Sequence, residues 1–213
     1  MKKTIFALAL LPMLLMSCGD NGEKFNEITY EQFAEKASAA ETEYASKASE
    51  DGTPYYKEIA IKGSNAMTLG SQTKNMEYDV TFTWKNEDGF SGYSTEETDP
   101  EKSAQAISKI LVTAEGFAST LEEYKATTEN LKFYLGEKQS LKVTGSYVAT
   151  MNIGMEIKLN TNVNYLFNSL GRVVTADNSA DGSVKQAGQE YAYTAKENWS
   201  ATYVINESAD ASK

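Results

Sequence analysis

The sequence has no histidine, one cysteine and, at position 172, one arginine among 213 residues. Without histidine there is no Ser-His-Asp or Cys-His nucleophile system and no zinc site of the usual ligand types. A single cysteine cannot close an internal disulfide. Acidic residues outnumber basic ones 30 to 20, for a formal net charge of −10, so a basic footprint for nucleic acid is lacking. No long linker, repeat or low-complexity block divides the chain. What remains suits one globular domain: 41% of residues are hydrophobic and 23% charged, enough to build a core. With the common catalytic and metal-ligand residues missing, the expectation is a protein that is not an enzyme and carries no cofactor.

The chain begins Met1-Lys2-Lys3, and Ile5 to Met16 is an almost unbroken apolar run. Its 12 residues fall short of the roughly 20 that span a bilayer. A basic start and a short apolar run read as a secretory signal peptide. Leu15-Met16-Ser17-Cys18 resembles the bacterial lipobox: a leucine, a tolerant position, a small residue, then cysteine. The resemblance implies that residues 1–17 are a lipoprotein signal peptide, that cleavage falls before Cys18, and that a lipid is attached to its thiol. Two or three acyl chains on one residue exceed the threshold for stable attachment, so the membrane is the expected partner. Loss of Lys2 and Lys3 makes the mature surface more acidic still, and anionic headgroups repel it. Gly19 follows the cysteine, so the Asp-type inner-membrane retention signal is absent there. In an organism with two membranes the expected location is the outer one.

Residues 18–27 read as the lipidated cysteine and a flexible tether, 28–206 as a single domain, and 207–213 as a disordered tail. Thr29 and Gln32 have capping-box spacing, and Tyr30, Phe33, Ala37, Tyr44 and Ala48 then share a helical face. Asp99-Pro100-Glu101 predicts a second helix start, followed by Ala104, Ile107, Ile110, Leu111, Ala114, Leu121 and Tyr124, with Gly116 as its expected interruption. Elsewhere the hydrophobic period is two. Met76, Tyr78, Val80, Phe82 and Trp84 share one face. Ile153, Met155, Ile157, Leu159, Val163, Tyr165 and Phe167 all fall on odd positions opposite Lys and Asn. The spacing predicts about eight to ten antiparallel strands, wet on one face and covered on the other. Among them, 57–63 and 66–73 are expected as separate strands, as are 171–178, 183–195 and 198–206.

Asp177-Asn178-Ser179-Ala180-Asp181-Gly182 resembles the start of a calcium loop, with Asp177 and Asp181 as first-choice ligands. The twelfth position, where a bidentate acid is needed, is Gly188, and an acidic hairpin turn is the better reading. Trp84, Trp199, Tyr55, Tyr56, Tyr191 and Tyr193 are candidates for a carbohydrate or lipid site, or else alternating core residues.

The order helix, strands, helix, long antiparallel strands is similar to that of the half-barrel lipoproteins and lipid carriers of the bacterial envelope, the LolA/LppX-like superfamily. Tyr165-Leu166-Phe167-Asn168-Ser169-Leu170-Gly171 resembles a Tyr-x-Phe-x-x-x-Gly hairpin of such sheets. The resemblance implies an α+β fold in which a strongly curved, half-barrel-like antiparallel sheet packs against two helices around an apolar pocket. Ile153, Met155, Ile157, Leu159, Val163, Tyr165, Phe167, Phe82 and Trp84 are the expected pocket lining. The leading expectation is a non-enzymatic envelope lipoprotein binding a lipid or other amphiphile. The alternative is a protein- or glycan-interaction module using the polar, aromatic-bearing sheet face. A cavity of some hundreds of Å³ separates the two.

Overall fold

The computed structural model describes residues 22–48, 52–87, 89–152 and 154–206. The expected signal peptide 1–17, Cys18, the expected tail 207–213 and Ile153 lie outside the described residues. Over the described residues the fold is α+β, with one nine-stranded antiparallel sheet and three helices. In chain order these are β1 (Phe25–Ile28), α1 (Tyr30–Ser46), β2 (Tyr56–Leu69), β3 (Gln72–Glu87), β4 (Phe90–Ser94), α2 (Pro100–Ile110), α3 (Ala114–Glu123), β5 (Thr127–Gly136), β6 (Leu141–Asn152), β7 (Glu156–Phe167), β8 (Val173–Gln186) and β9 (Gln189–Ile205). The spatial order is β1-β5-β6-β7-β8-β9-β2-β3-β4. Two hairpin meanders, β2 to β4 and β5 to β9, thus meet at a seam between β2 and β9. Three of the four residues of the first strand lie in the stretch 18–27 expected as tether; Phe25 pairs with Gly136 and Ile28 with Phe133. Four residues are too few to show a period.

The helices form where their caps dictate. Thr29 Oγ1 accepts from the Gln32 amide at 3.3 Å, and Gln32 Oε1 accepts from the Thr29 amide at 3.0 Å. Asp99 caps α2 through the Glu101 amide at 2.9 Å, with Pro100 in the first position. The expected second helix is two. The break comes at Leu111–Thr113 and not at Gly116, because Thr113 caps α3 through the Gly116 amide at 2.9 Å. The Ala114 amide is also drawn to the Gly171 carbonyl, 2.9 Å away.

The strands follow the period-two pattern, but several expected turns are strand interior. Residues 57–69 form one strand, β2, without a break at 64–65; the expected strand 66–73 instead spans the turn at Gly70–Ser71 and the first two residues of β3. Gly63 is a point of close approach: a Cβ there would sit 2.4 Å from the Trp199 Cβ. Likewise β8 runs through 177–184, and its turn into β9 is at Ala187–Gly188.

All three helices share one face of the sheet. Phe33 of α1 packs against Phe133, Phe167 and Phe117, with ring centres 4.9 to 6.4 Å apart. Trp199, Phe33, Phe167, Ile61, Leu141, Val80, Val143 and Val173 are fully buried there. On β7 the odd positions are more buried than the even ones from Glu156 to Val163, as the alternation predicts. Among the described residues no helix is long and apolar enough to cross a membrane.

Candidate functional site

The strands of 12 to 17 residues in β6–β9 outrun the helices packed on them. Where α2 leaves the sheet, a cleft of about 600 Å³ opens. One wall is α2, which offers Glu101, Ala104, Gln105 and Ser108. The floor is the helix-bearing face of β6, β7, β8, β9, β2 and β3. Its apolar part includes Met67, Met76, Tyr147, Val163, Tyr165 and Tyr193. Alternation places these side chains together: register pairs Tyr147 with Thr161, Thr161 with Ala180, Ala180 with Ala195, and Ala195 with Met67.

Of the charged lining residues Lys74, Glu101, Lys196 and Glu197, Glu197 alone is not exposed, and it is fully engaged. Glu197 accepts a short hydrogen bond from Lys109 Nζ of α2 on one oxygen. On the other it accepts from Asn178 Nδ2 at 2.7 Å and from Trp199 Nε1 at 3.4 Å. Burial pushes the Glu197 carboxyl up, but the Lys109 charge and these hydrogen bonds outweigh it and hold the group below the ordinary carboxylate value. Lys109 also lies 5.9 Å from the Trp199 ring centre. The pair therefore ties α2 to the sheet. A second pair, Lys74 with Glu101 at 2.9 Å, does so at the exposed rim. Burial, followed by the Glu197 charge, raises the Tyr78, Tyr165 and Tyr193 hydroxyls, so they stay protonated.

Of the expected pocket residues, Val163 and Tyr165 line the cleft. Phe167 and Phe82 are core residues under the helices, 0% and 3% exposed. Trp84 packs edge-on to Tyr93 on the outermost hairpin, ring centres 5.3 Å apart. Ile157 and Leu159 are half-buried on the same face beyond the cleft, and Met155 is in the β6–β7 turn. Of the six described candidates on the long strand two line the cleft, joined by Thr161, because its helix end is packed in the core and its other end passes the cleft.

Asp177 and Asp181 are both exposed on the opposite face of β8. Four residues apart on an extended strand, they are separated by about 13 Å, too far to share an ion. Asp181 instead accepts from Asn160 Nδ2 at 3.2 Å. Among the described residues no group of three or more acidic or cysteine side chains is placed to hold a metal. Of the six aromatic candidates, Tyr193 lines the cleft, Tyr191 lies beyond it, Trp199 is core at 2% exposure, and Tyr55 and Tyr56 stack with Tyr44 and Tyr203 in a separate cluster.

Lys109 and Glu197 carried no signal in the sequence, since 88 positions separate them. Compared with protein-family models, with curated proteins and with solved structures, the chain matches none.

Proposed function

We propose that this is an exported, lipid-anchored, non-enzymatic envelope protein whose cleft holds a lipid or other amphiphile. The observation that carries the binding half is the cleft itself. Its volume of about 600 Å³ falls in the range of small-molecule sites. Its floor is mostly Met, Tyr, Val and Ala, and its one buried charge is already neutralised. The half-barrel form belongs to the same proposal: twisted strands of this length bend around the elements packed on one face. The anchor half rests on the basic start, the short apolar run and Leu15-Met16-Ser17-Cys18. It makes the membrane the partner through acyl chains on Cys18, with the outer membrane as the location where there are two.

A second reading, a protein-interaction module on the opposite face, has its own support. Asn160, Asn162 and Asn164 alternate along β7 there, and Asn162 reaches Ser179 at 3.5 Å. A glycan is less well served on that face, because the tyrosines suited to stacking are on the helix side.

Native mass spectrometry of gently purified protein tests the binding half. A co-purifying amphiphile, lost when Ala104→Trp fills the cleft, is the expected result; an empty protein that takes up no added amphiphile overturns it. Detergent partitioning tests the anchor: Cys18→Ser should move the protein to the aqueous phase, and equal partitioning of both forms refutes the lipobox.

A further inference from the structure

Lys109, Glu197 and Asn178 make more than an ion pair with a helper. Asn178 on β8 and Glu197 on β9 are register partners, and alternation turns both toward the helices. Lys109 reaches them from α2. Its Nζ donates to Glu197 Oε2, while Asn178 Nδ2 donates to Glu197 Oε1. One carboxylate therefore holds an amine and a carboxamide side by side. The amide oxygen is engaged as well: the Asn164 backbone N–H donates to Asn178 Oδ1 at 3.3 Å. Lys109 and Asn178 are only 8% and 6% exposed, and the buried Trp199 ring flanks the amine.

Each group has the chemistry of one role. A lysine amine is a nucleophile once it loses a proton. A carboxylate within hydrogen-bond reach is the base that takes it. A carboxamide carbon is an electrophile, and a backbone N–H on its oxygen stabilises the charge that attack places there. Burial penalises both charges of the ion pair, which narrows the gap to the neutral pair that the proton transfer creates. With both groups held on one carboxylate, the flexible four-carbon lysine stem supplies the remaining approach of Nζ to Cγ.

We propose that Lys109 and Asn178 join in an intramolecular isopeptide bond, with Glu197 as the proton relay. Nζ gives one proton to Glu197, and its lone pair attacks Asn178 Cγ. The Cγ–Nδ2 bond then breaks. Of the three ammonium hydrogens of Lys109, one stays in the new amide and two pass by way of Glu197 to Nδ2. That nitrogen leaves with four hydrogens, as ammonium. Glu197 ends as the carboxylate it began as, and nothing is oxidised or reduced. Asn178 and Glu197 both line the cleft, which gives the ammonium a way out. The ion-paired chain is the reactant, so the salt bridge and the stability it confers belong to the protein before reaction. The product fastens α2 to β8 in a chain whose one cysteine cannot close an internal disulfide. It constrains the unfolded chain between positions 109 and 178 as a disulfide would.

The test uses the full chain carrying Cys18→Ser, so that acylation does not complicate the masses. The purified protein is held at neutral pH and sampled over days by tryptic digestion and tandem mass spectrometry. Expected is a branched species in which residues 103–125, uncleaved at Lys109, are joined to residues 173–185 with the loss of one ammonia. Lys109→Arg keeps the charge and should abolish the branch. Glu197→Gln removes the base and should slow its formation at least about a hundredfold. Cross-linked wild type should also run ahead of Lys109→Arg on a denaturing gel. The wild-type digest decides the bond by itself: linear peptides alone, cleaved after Lys109, overturn the proposal. So does ammonia lost elsewhere, as at Asn21-Gly22, with 109 and 178 unjoined. A branch that forms equally fast in Glu197→Gln overturns the role given to Glu197.

Discussion

Arg172 donates from one terminal nitrogen to both oxygens of Glu41, at 2.7 and 2.8 Å. The single arginine of the chain thus joins the β7–β8 turn to α1, and its guanidinium lies 3.8 Å from the ring centre of Tyr44. Its side chain is 11% exposed. Lysine can supply the charge at this site but not the planar stacking. Arg172→Lys should therefore cost about 2 kcal/mol, read as a lowered midpoint in urea with an unchanged slope. An unaltered midpoint would show that α1 is held by packing alone.

Glu197 gives the stability a defined acid dependence. Its carboxyl lies below the ordinary value in the folded protein. The stability it contributes is thus fully present above the unfolded value near about 4.3. It is lost as pH falls from there through the depressed folded value. Glu197→Gln leaves Lys109 without its counter-charge and should cost about 3 kcal/mol at neutral pH. Denaturation at neutral pH and in acid should show the gap between wild type and variant narrowing on acidification. A constant gap would assign the acid dependence elsewhere.

Two glycines should respond differently to the same added methyl group. At Gly63 the new Cβ meets Trp199 Cβ and the Asn198 carbonyl at 2.4 and 2.5 Å, in a seam with no room to yield. Gly63→Ala should cost about 3 kcal/mol by overpacking. Gly89 has φ +80° and open space around it, so Gly89→Ala should cost only about 1 kcal/mol of backbone strain. Thermal melts of the pair check the order, and equal losses would mean that the β2–β9 seam relaxes freely.

Along β7 the cost of truncation should fall from the helix end to the tip. Phe167 is fully buried, and Phe167→Ala should cost about 3–5 kcal/mol. Ile157 is half-buried on the same face, and Ile157→Ala should cost about 1 kcal/mol. Asn162→Ala, on the opposite face, should cost little. Chemical denaturation of the three variants measures the gradient. A large loss at Ile157 would mean that this face is packed against something in solution.

What was legible in the sequence was local. The capping box at Thr29, the Asp99-Pro100 start and the alternation of β7 needed only neighbouring residues. The errors share a cause. Ser64-Asn65, next to Gly63, and the Asp177–Gly182 stretch read as turns because small, polar and acidic residues favour turns. Both are in strand interior, where Gly63 and Gly182 are imposed by a neighbouring strand's close approach. Such an approach is a property of pairing between segments far apart in sequence. The cleft was obscured for the same reason: two of its walls, α2 and β9, meet only in the folded sheet. Val163 and Tyr165 lie on the cleft, on the face that alternation assigns them. Phe167, two residues on, is buried in the core, because alternation carries no information on where a helix stops covering the strand.

The seam between β2 and β9 has a consequence for how the chain folds. β9 is the last strand in the sequence, yet it lies in the interior of the sheet, between β8 and β2. The two meanders can each zip up from their own hairpins. They remain separate, each with an open edge, until Tyr193–Ile205 pairs with residues 56–69 more than a hundred positions away. Closure over so long a loop is slow, and the rate falls as the separation of contacting segments grows. Removing β9 would leave two unfinished sheets, whereas removing β1 would shorten one edge by four residues.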